Sequence, residues 1–352
     1  MRFRSPLWLF WAVFWLSTFS FAAWIPKVVY DVYQFPNETW VENIAVRSNG
    51  ELVVTLLDRP ELYLINPFKP QAATLLWSAP EVLGLLGIVE VQQDRFAVIA
   101  GNYSVATAST RKGSYSVWMI DLRPFQGMEG SVITPPNITK ITDIPEAIFL
   151  NGMTTLGDGN NTLLLADSGA GDVLGLDLQT NTYHRVMKDD TMAPGPPLYL
   201  GINGIHLYRD YLYYTNTAQQ LLARIPVHPN GTSAGEAEVI VRNYVGDDFA
   251  IDRAGYIYVA EDLGNALYKY GVDGTVRVIL GSNNSSVIAG DTAAQFGRTC
   301  IDEDILYITT NGGMTNPVNG TVVGGKVVAF DTKSILDDAT RAHSSRPRTK
   351  LL

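Results

Sequence analysis

Glu42, Asn151, Asn203 and Asp248 have the residue types and the spacing to act together on one ligand. They stand 109, 52 and 45 residues apart, and each lies at the start of a similar stretch. Glu42 opens ENIAVRSNGELVVTLLD, Asn151 opens NGMTTLGDGNNTLLLADS, Asn203 opens NGIHLYRDYLYYTNT, and Asp248 is the second residue of DDFAIDRAGYIYVAED. Two carboxylates and two amide oxygens brought together make a hard-oxygen set suited to Ca²⁺ or Mg²⁺. The same groups can instead hold a substrate through hydrogen bonds. Asp247 adds a carboxylate that could act as a base or touch substrate. Arg298, in the related stretch GRTCIDEDILYITTN, is a further candidate donor. Tyr199, Tyr213, Tyr214, Phe249 and Phe296 are candidate walls, although inter-blade packing is the competing role for each aromatic.

Other catalytic patterns are missing. The sequence has no G-x-S-x-G elbow and no H-E-x-x-H motif, which argues against serine-hydrolase and zinc-protease chemistry. His206 follows the Asn203 motif and reads as a core histidine whose ring is hydrogen-bonded. The chain's single cysteine, Cys300, lies in TCIDEDILYI and reads as a buried structural thiol.

The elements that must position these groups follow from the repeats. Each stretch alternates apolar residues through a Gly- or Asp-bearing turn and ends in polar residues, the pattern of a short hairpin. The starts at Asn151, Asn203, Asp248 and Arg298 recur every 45–52 residues. Four short antiparallel strands at that period predict propeller blades, and the chain length suits six. The fold expected is an all-β, six-bladed β-propeller. Its sixth blade shows only three strands in sequence, so KVVYDVYQF near the N-terminus is expected to pair there and close the ring. Inner-strand starts and second-strand ends then share one face. The ends carry Asp58, Asn102, Asp167, Asn216, Glu261, Asp262 and Asn311. The insertions ATASTRKGS and RPFQGMEGS in the second blade are expected to shape the site.

Composition narrows the setting. The net charge of −9 leaves no basic surface for nucleic acid. Arg2 and Arg4 precede the apolar run PLWLFWAVFWLSTFSF, and Ser20-Phe21-Ala22 offers small residues for cleavage. Residues 1–22 therefore read as a signal peptide, 23–333 as one propeller domain and 334–352 as a flexible tail. Secretion, with no stable membrane anchor after cleavage, agrees with sequons at Asn37, Asn102, Asn137, Asn160, Asn230, Asn283, Asn284 and Asn319.

On these motifs the chain resembles the regucalcin–gluconolactonase propellers. Glu42, Asn151-Gly152, Asn203-Gly204 and Asp248 look like that family's metal-binding Glu, Asn, Asn and Asp. The chain reads Glu42-Asn43-Ile44 where the family usually has E-G-P, and Asp247-Asp248-Phe249 where it has D-G. The secreted, single-cysteine, sequon-rich form resembles a fungal branch that includes hetero-Diels–Alderases of tropolone–sesquiterpenoid biosynthesis. That resemblance implies an enzyme that needs no cofactor. It would orient an o-quinone methide against a terpene alkene, an apolar small-molecule substrate. A lactonase using Ca²⁺ or Mg²⁺ at the four axial residues, and a propeller that only binds, are the alternatives.

Overall fold

The computed structural model describes residues 28–334, apart from 70, 71, 129, 158, 160, 272 and 273. The signal segment 1–22, the tail beyond residue 334 and the Asn160 sequon lie outside the described residues.

Six four-stranded antiparallel sheets form the blades of a β-propeller. The inner strands are Val41–Val46, Gly84–Gln92, Leu150–Thr155, Ile202–Tyr208, Phe249–Ile251 and Asp291–Phe296. In the sixth blade the outer strand is Val29–Gln34, which pairs antiparallel with Lys326–Asp331. Side chains then pack across the seam. Leu52, Val54 and Leu56 of the first blade share a core with Tyr307, Val327 and Ala329 of the sixth. Alternation explains the packing: each strand gives every second residue to one neighbouring blade and the rest to the other. Each fully buried leucine of these clusters contributes roughly 1.5–3 kcal/mol.

The inner strands carry a shared irregularity. Pairing slips between Val41 and Asn43, Leu85 and Ile88, Leu150 and Met153, Ile202 and Ile205, and Asp291 and Ala293. These bulges fall at Glu42, Asn151-Gly152 and Asn203-Gly204. A bulge bends its strand and re-aims a side chain. In three blades a threonine of the second strand takes the freed amide: Thr55 Oγ1 accepts from Asn43 N, Thr215 Oγ1 from Gly204 N and Thr309 Oγ1 from Ala293 N. Thr55 and Thr215 also donate to carbonyls of the next blade, Leu86 O and Asp247 O. The polar residues are therefore aimed by backbone geometry before any ligand arrives.

Cys300 departs from the sequence expectation and is exposed. The strand expected to bury it begins only at Ile305, so the Thr-Cys-Ile segment lies in a hairpin turn. The sequons at Asn37, Asn137, Asn230, Asn283, Asn284 and Asn319 are exposed and Asn102 is half-buried. Among the described residues, no helix is long and apolar enough to cross a membrane.

Candidate functional site

A cavity of about 450 Å³ opens at the face where the inner strands begin. Glu42, Asn151, Asn203 and Asp247 line it, joined by Asp262 and Thr315. Its walls are apolar: Trp40, Leu57, Phe149, Leu200, Val245 and Met314, with Tyr103 and Val105 from the segment just before the first second-blade insertion. Tyr103 stacks on Phe149, with ring centroids 4.9 Å apart and planes 9° from parallel. Neither lysine nor arginine is among the lining residues.

Three acidic groups therefore face one another without a cationic partner in the lining. Glu42 Oε2 accepts from Trp40 Nε1 at 2.6 Å. Burial raises the Glu42 carboxyl to about 8; the Trp40 hydrogen bond opposes the rise, and Asp262 and Asp248 add to it. Asp247 Oδ1 accepts from Asn203 Nδ2 at 2.7 Å, yet burial holds this carboxyl well above its ordinary value, with Glu42 and Asp262 adding to the effect. Burial lifts Asp262 to about 6 against hydrogen bonds from Thr315 (2.5 Å) and Asn311 (2.8 Å). At neutral pH burial thus favours the protonated, hydrogen-bond-donating form of Glu42 and Asp247, whereas Asp262 is largely ionised and accepts from Thr315 and Asn311.

The structure corrects the fifth-blade residue. Successive residues of an extended chain point to opposite sides. Asp247 faces the cavity, so Asp248 turns beneath it. There Asp248 Oδ2 accepts from Asn43 Nδ2 at 2.9 Å, and Oδ1 lies 2.8 Å from His206 Nε2. Arg298 and Phe296 are also misplaced by the sequence reading. Phe296 ends the inner strand that Asp291 begins, and Arg298 follows it, which carries both to the opposite face. Arg298 donates there to Val46 O and pairs with Glu90. Phe296 packs edge-on against Tyr258.

The remaining expected walls are packing residues. Tyr214 is fully buried between blades, bonded to Thr191 Oγ1. Phe249 is fully buried against the His206 ring. Tyr213 is buried and accepts from Arg224. Tyr199, with φ of 54°, points outward and is 66% exposed, while its neighbours Leu198 and Leu200 line the cavity.

Most second-strand ends serve as scaffolding instead of forming the mouth. Asp167 accepts from the backbone amides of Ile148, Phe149, Gly169 and Ala170. Asn216 donates to Thr191 O and Ala193 O and accepts from Gln219 N. Asp58 accepts from Trp40 N, which helps place the tryptophan at the cavity. Only Asp262 of this set lines the cavity. Of the two insertions, the first contributes Ala106 and Ala108 to the wall. The second forms a hairpin, Gln126–Met128 with Ser131–Thr134, that follows the far end of its strand and lies away from the cavity. Trp40, Tyr103 and Phe149 escaped the sequence reading. Their one signal was position: each lies just before an inner strand or just after a second one.

No protein-family profile matches the chain. A Phoma protein named "Putative hetero-Diels-Alderase" is 28% identical over 308 residues, covering 80% of this chain and 86% of its own. A second protein of that description, from Sarocladium schorii, is 26% identical over 349 residues, covering 86% of this chain and 82% of its own. Among solved structures, a luciferin-regenerating enzyme superposes with a TM-score of 0.62 at 14% identity, over 86% of this chain and 94% of that one. Regucalcin from Agrobacterium tumefaciens gives 0.57 at 15% identity, over 85% and 92%. A gluconolactonase from Xanthomonas campestris gives 0.57 at 12% identity, over 86% and 89%. The chain is a six-bladed β-propeller that shares its fold with regucalcin and a gluconolactonase, and its sequence is similar to two proteins named "Putative hetero-Diels-Alderase".

Proposed function

We propose that the cavity catalyses a hetero-Diels–Alder cycloaddition, holding an o-quinone methide of tropolone type against an alkene of a terpene. The observation that carries this is a single cavity lined both by apolar side chains and by acid and amide groups. In the reaction one C–C and one C–O bond form as π bonds are consumed. No proton, hydride or leaving group is transferred. The protein must therefore orient two reactants and stabilise the negative charge that grows on the heterodiene oxygen.

The wall of Trp40, Tyr103, Phe149 and Leu200 suits a hydrocarbon partner, and near-attack placement is worth up to roughly 7–11 kcal/mol. Charge stabilisation falls to Glu42, protonated below about 8, and to the Asn151 amide, which also lines the cavity. Removing one such donor costs roughly 10²–10³-fold in rate. Passage through the secretory pathway is part of the same reading, supported by the apolar leader and the exposed sequons.

The donor set also fits a divalent cation. Glu42, Asn151, Asn203 and Asp247 present carboxylate and amide oxygens of the kind Ca²⁺ and Mg²⁺ take, with Asp247 in the place the sequence assigned to Asp248. When bound, the ion would polarise a carbonyl as a Lewis acid. This set is the observation that favours metal-dependent lactone hydrolysis as a second reading. Treatment of the purified protein with EDTA separates the two. Cycloaddition that persists unchanged supports the first. Lactone hydrolysis that disappears with EDTA and returns with Ca²⁺ or Mg²⁺, without cycloaddition, replaces it with the second.

A further inference from the structure

We propose that Asp248 is a positioning residue: by bridging Asn43 and His206 beneath the cavity, it fixes the separation of Glu42 and Asp247. The inference rests on the reading of the cavity as the reaction site. Its basis is a second layer of residues, one step along each inner strand from those that line the cavity. In the first, third, fourth and fifth blades this layer is Asn43, Gly152, Gly204 and Asp248. The two glycines bring no side chain. The two polar residues stand where the chain departs from the related E-G-P and D-G patterns, and they bond to each other.

The contacts span three blades. Asp248 Oδ2 accepts from Asn43 Nδ2 at 2.9 Å, 205 residues away in sequence. Asp248 Oδ1 accepts from its neighbour Phe249 N at 2.8 Å and meets His206 Nε2 at 2.8 Å. Asn43 Oδ1 is held in turn by Ile44 N at 2.8 Å. Gly204 leaves the space this needs, since a Cβ there would lie 2.3 Å from Asp248 Oδ1. Asn43 and Asp248 are 8% and 7% exposed, so water competes little for these bonds.

The consequence for the cavity is geometric. Glu42 is covalently next to Asn43, and Asp247 next to Asp248. A hydrogen bond between the lower pair therefore sets how far apart the upper pair stands. Without it, the two acids are tied only through the sixth blade between them, where Thr292 O accepts from Asp248 N at 3.1 Å and Thr292 Oγ1 donates to Val41 O at 2.6 Å.

The test compares full-length wild type with Asp248→Ala, Asp248→Asn and Gly204→Ala, measuring kcat, KM for each reactant, the ratio of stereoisomeric adducts, and crystal structures. Asp248→Ala and Gly204→Ala are expected to lower kcat about 10- to 100-fold, with KM within about threefold and the adduct ratio moved towards the uncatalysed one. Asp248→Asn keeps an acceptor for Asn43 and is expected to recover most of the rate. The structure of Asp248→Ala should show the Glu42–Asp247 separation changed by about 1 Å. Unchanged separation, or wild-type kcat and adduct ratio in both disruptive variants, overturns the proposal. Should Asp248→Ala not fold, Gly204→Ala and Asp248→Asn carry the same comparison. Absence of cycloaddition by wild type would instead reject the reaction assigned to the cavity, while the crystal structures would still decide the positioning claim.

Discussion

The two ends of the central channel are both charged and are built on opposite plans. At the far end Arg47 and Arg298 each have an acid. Arg47 meets Glu51 at 2.5 Å and Asp94 at 2.8 Å, and Arg298 meets Glu90. At the mouth, Glu42, Asp247 and Asp262 face a cavity whose lining holds no lysine or arginine. The same inner strands supply both ends: Glu42 is the second residue of the strand Val41–Val46, which Arg47 follows. Charge that is compensated where it stands needs no further explanation than closing and bracing the ring. Burial raises the pKa of these acids, with acidic neighbours adding to the rise at Glu42 and Asp247; holding them there costs the fold stability, so they point to a site kept for chemistry. At Glu42 and Asp247 a proton stands in for a counter-ion, and a protonated carboxyl is a hydrogen-bond donor.

The largest effect that would break this contrast concerns Glu42. Glu42→Ala is expected to lower kcat roughly 10²–10³-fold, as loss of a donor aimed at developing charge does elsewhere. Glu42→Gln retains a neutral N–H donor and should stay within about tenfold of wild type. The pH dependence gives the sign. The Glu42 carboxyl is protonated below about 8, so wild-type kcat should fall as pH rises through that value. Glu42→Gln should lose this alkaline limb. The same carboxyl favours the folded state in its protonated form. Its stabilising effect is full below the ordinary glutamate value of 4.5 and is lost as pH rises through about 8. A pH–rate profile with an identical alkaline limb in Glu42→Gln and wild type would show that the titration of another group sets that limb.

The contrast also marks how far the sequence could be read. The ring was legible because each blade repeats a hairpin whose polar ends and Gly- or Asp-bearing turns recur at a steady interval. Glu42, Asn151 and Asn203 were legible because the repeats align them. Asp247 and Asp248 were not separable, since two adjacent aspartates fit one motif and only strand alternation decides which enters the cavity. For Arg298 and Phe296 the visible repeat starts near Gly297, which would put both at the mouth. The inner strand in fact begins at Asp291, so those two residues belong to its far end. Trp40, Tyr103 and Phe149 come from links between strands, where no periodicity reports direction. Leu198 is harder still: it lies on a loop that crosses from the third blade to the fourth, and its role depends on how that loop folds.

Leu198 yields the intermediate prediction. It lines the cavity yet is 49% exposed, so it stands at the rim where an apolar reactant would enter. Leu198→Asp removes apolar contact and adds a charge that must be desolvated when that reactant binds. KM for the hydrocarbon partner should rise about tenfold, in line with roughly 1–3 kcal/mol for a small change in an apolar pocket, while kcat at saturation changes little. An equal rise in KM for the o-quinone methide precursor would mean that the rim does not distinguish the two reactants.

The smallest effect is expected at the other end. Arg298 was a candidate donor by sequence, and the structure gives it Glu90 and Val46 O instead. Its side chain is 42% exposed, so solvent screens the pair and its loss should cost about 1 kcal/mol or less. For a chain of this size that corresponds to no more than about 2–4 °C in Tm. Arg298→Ala should therefore turn over within about twofold of wild type, because the residue it leaves unpaired lies at the far face from the cavity. The variant is the sharpest control for Glu42→Ala: each removes one ionisable side chain, from opposite ends of a shared channel. A folded Arg298→Ala protein that lost activity as Glu42→Ala does would mean the far end takes part in the reaction, and the division between bracing charge and chemical charge would fall.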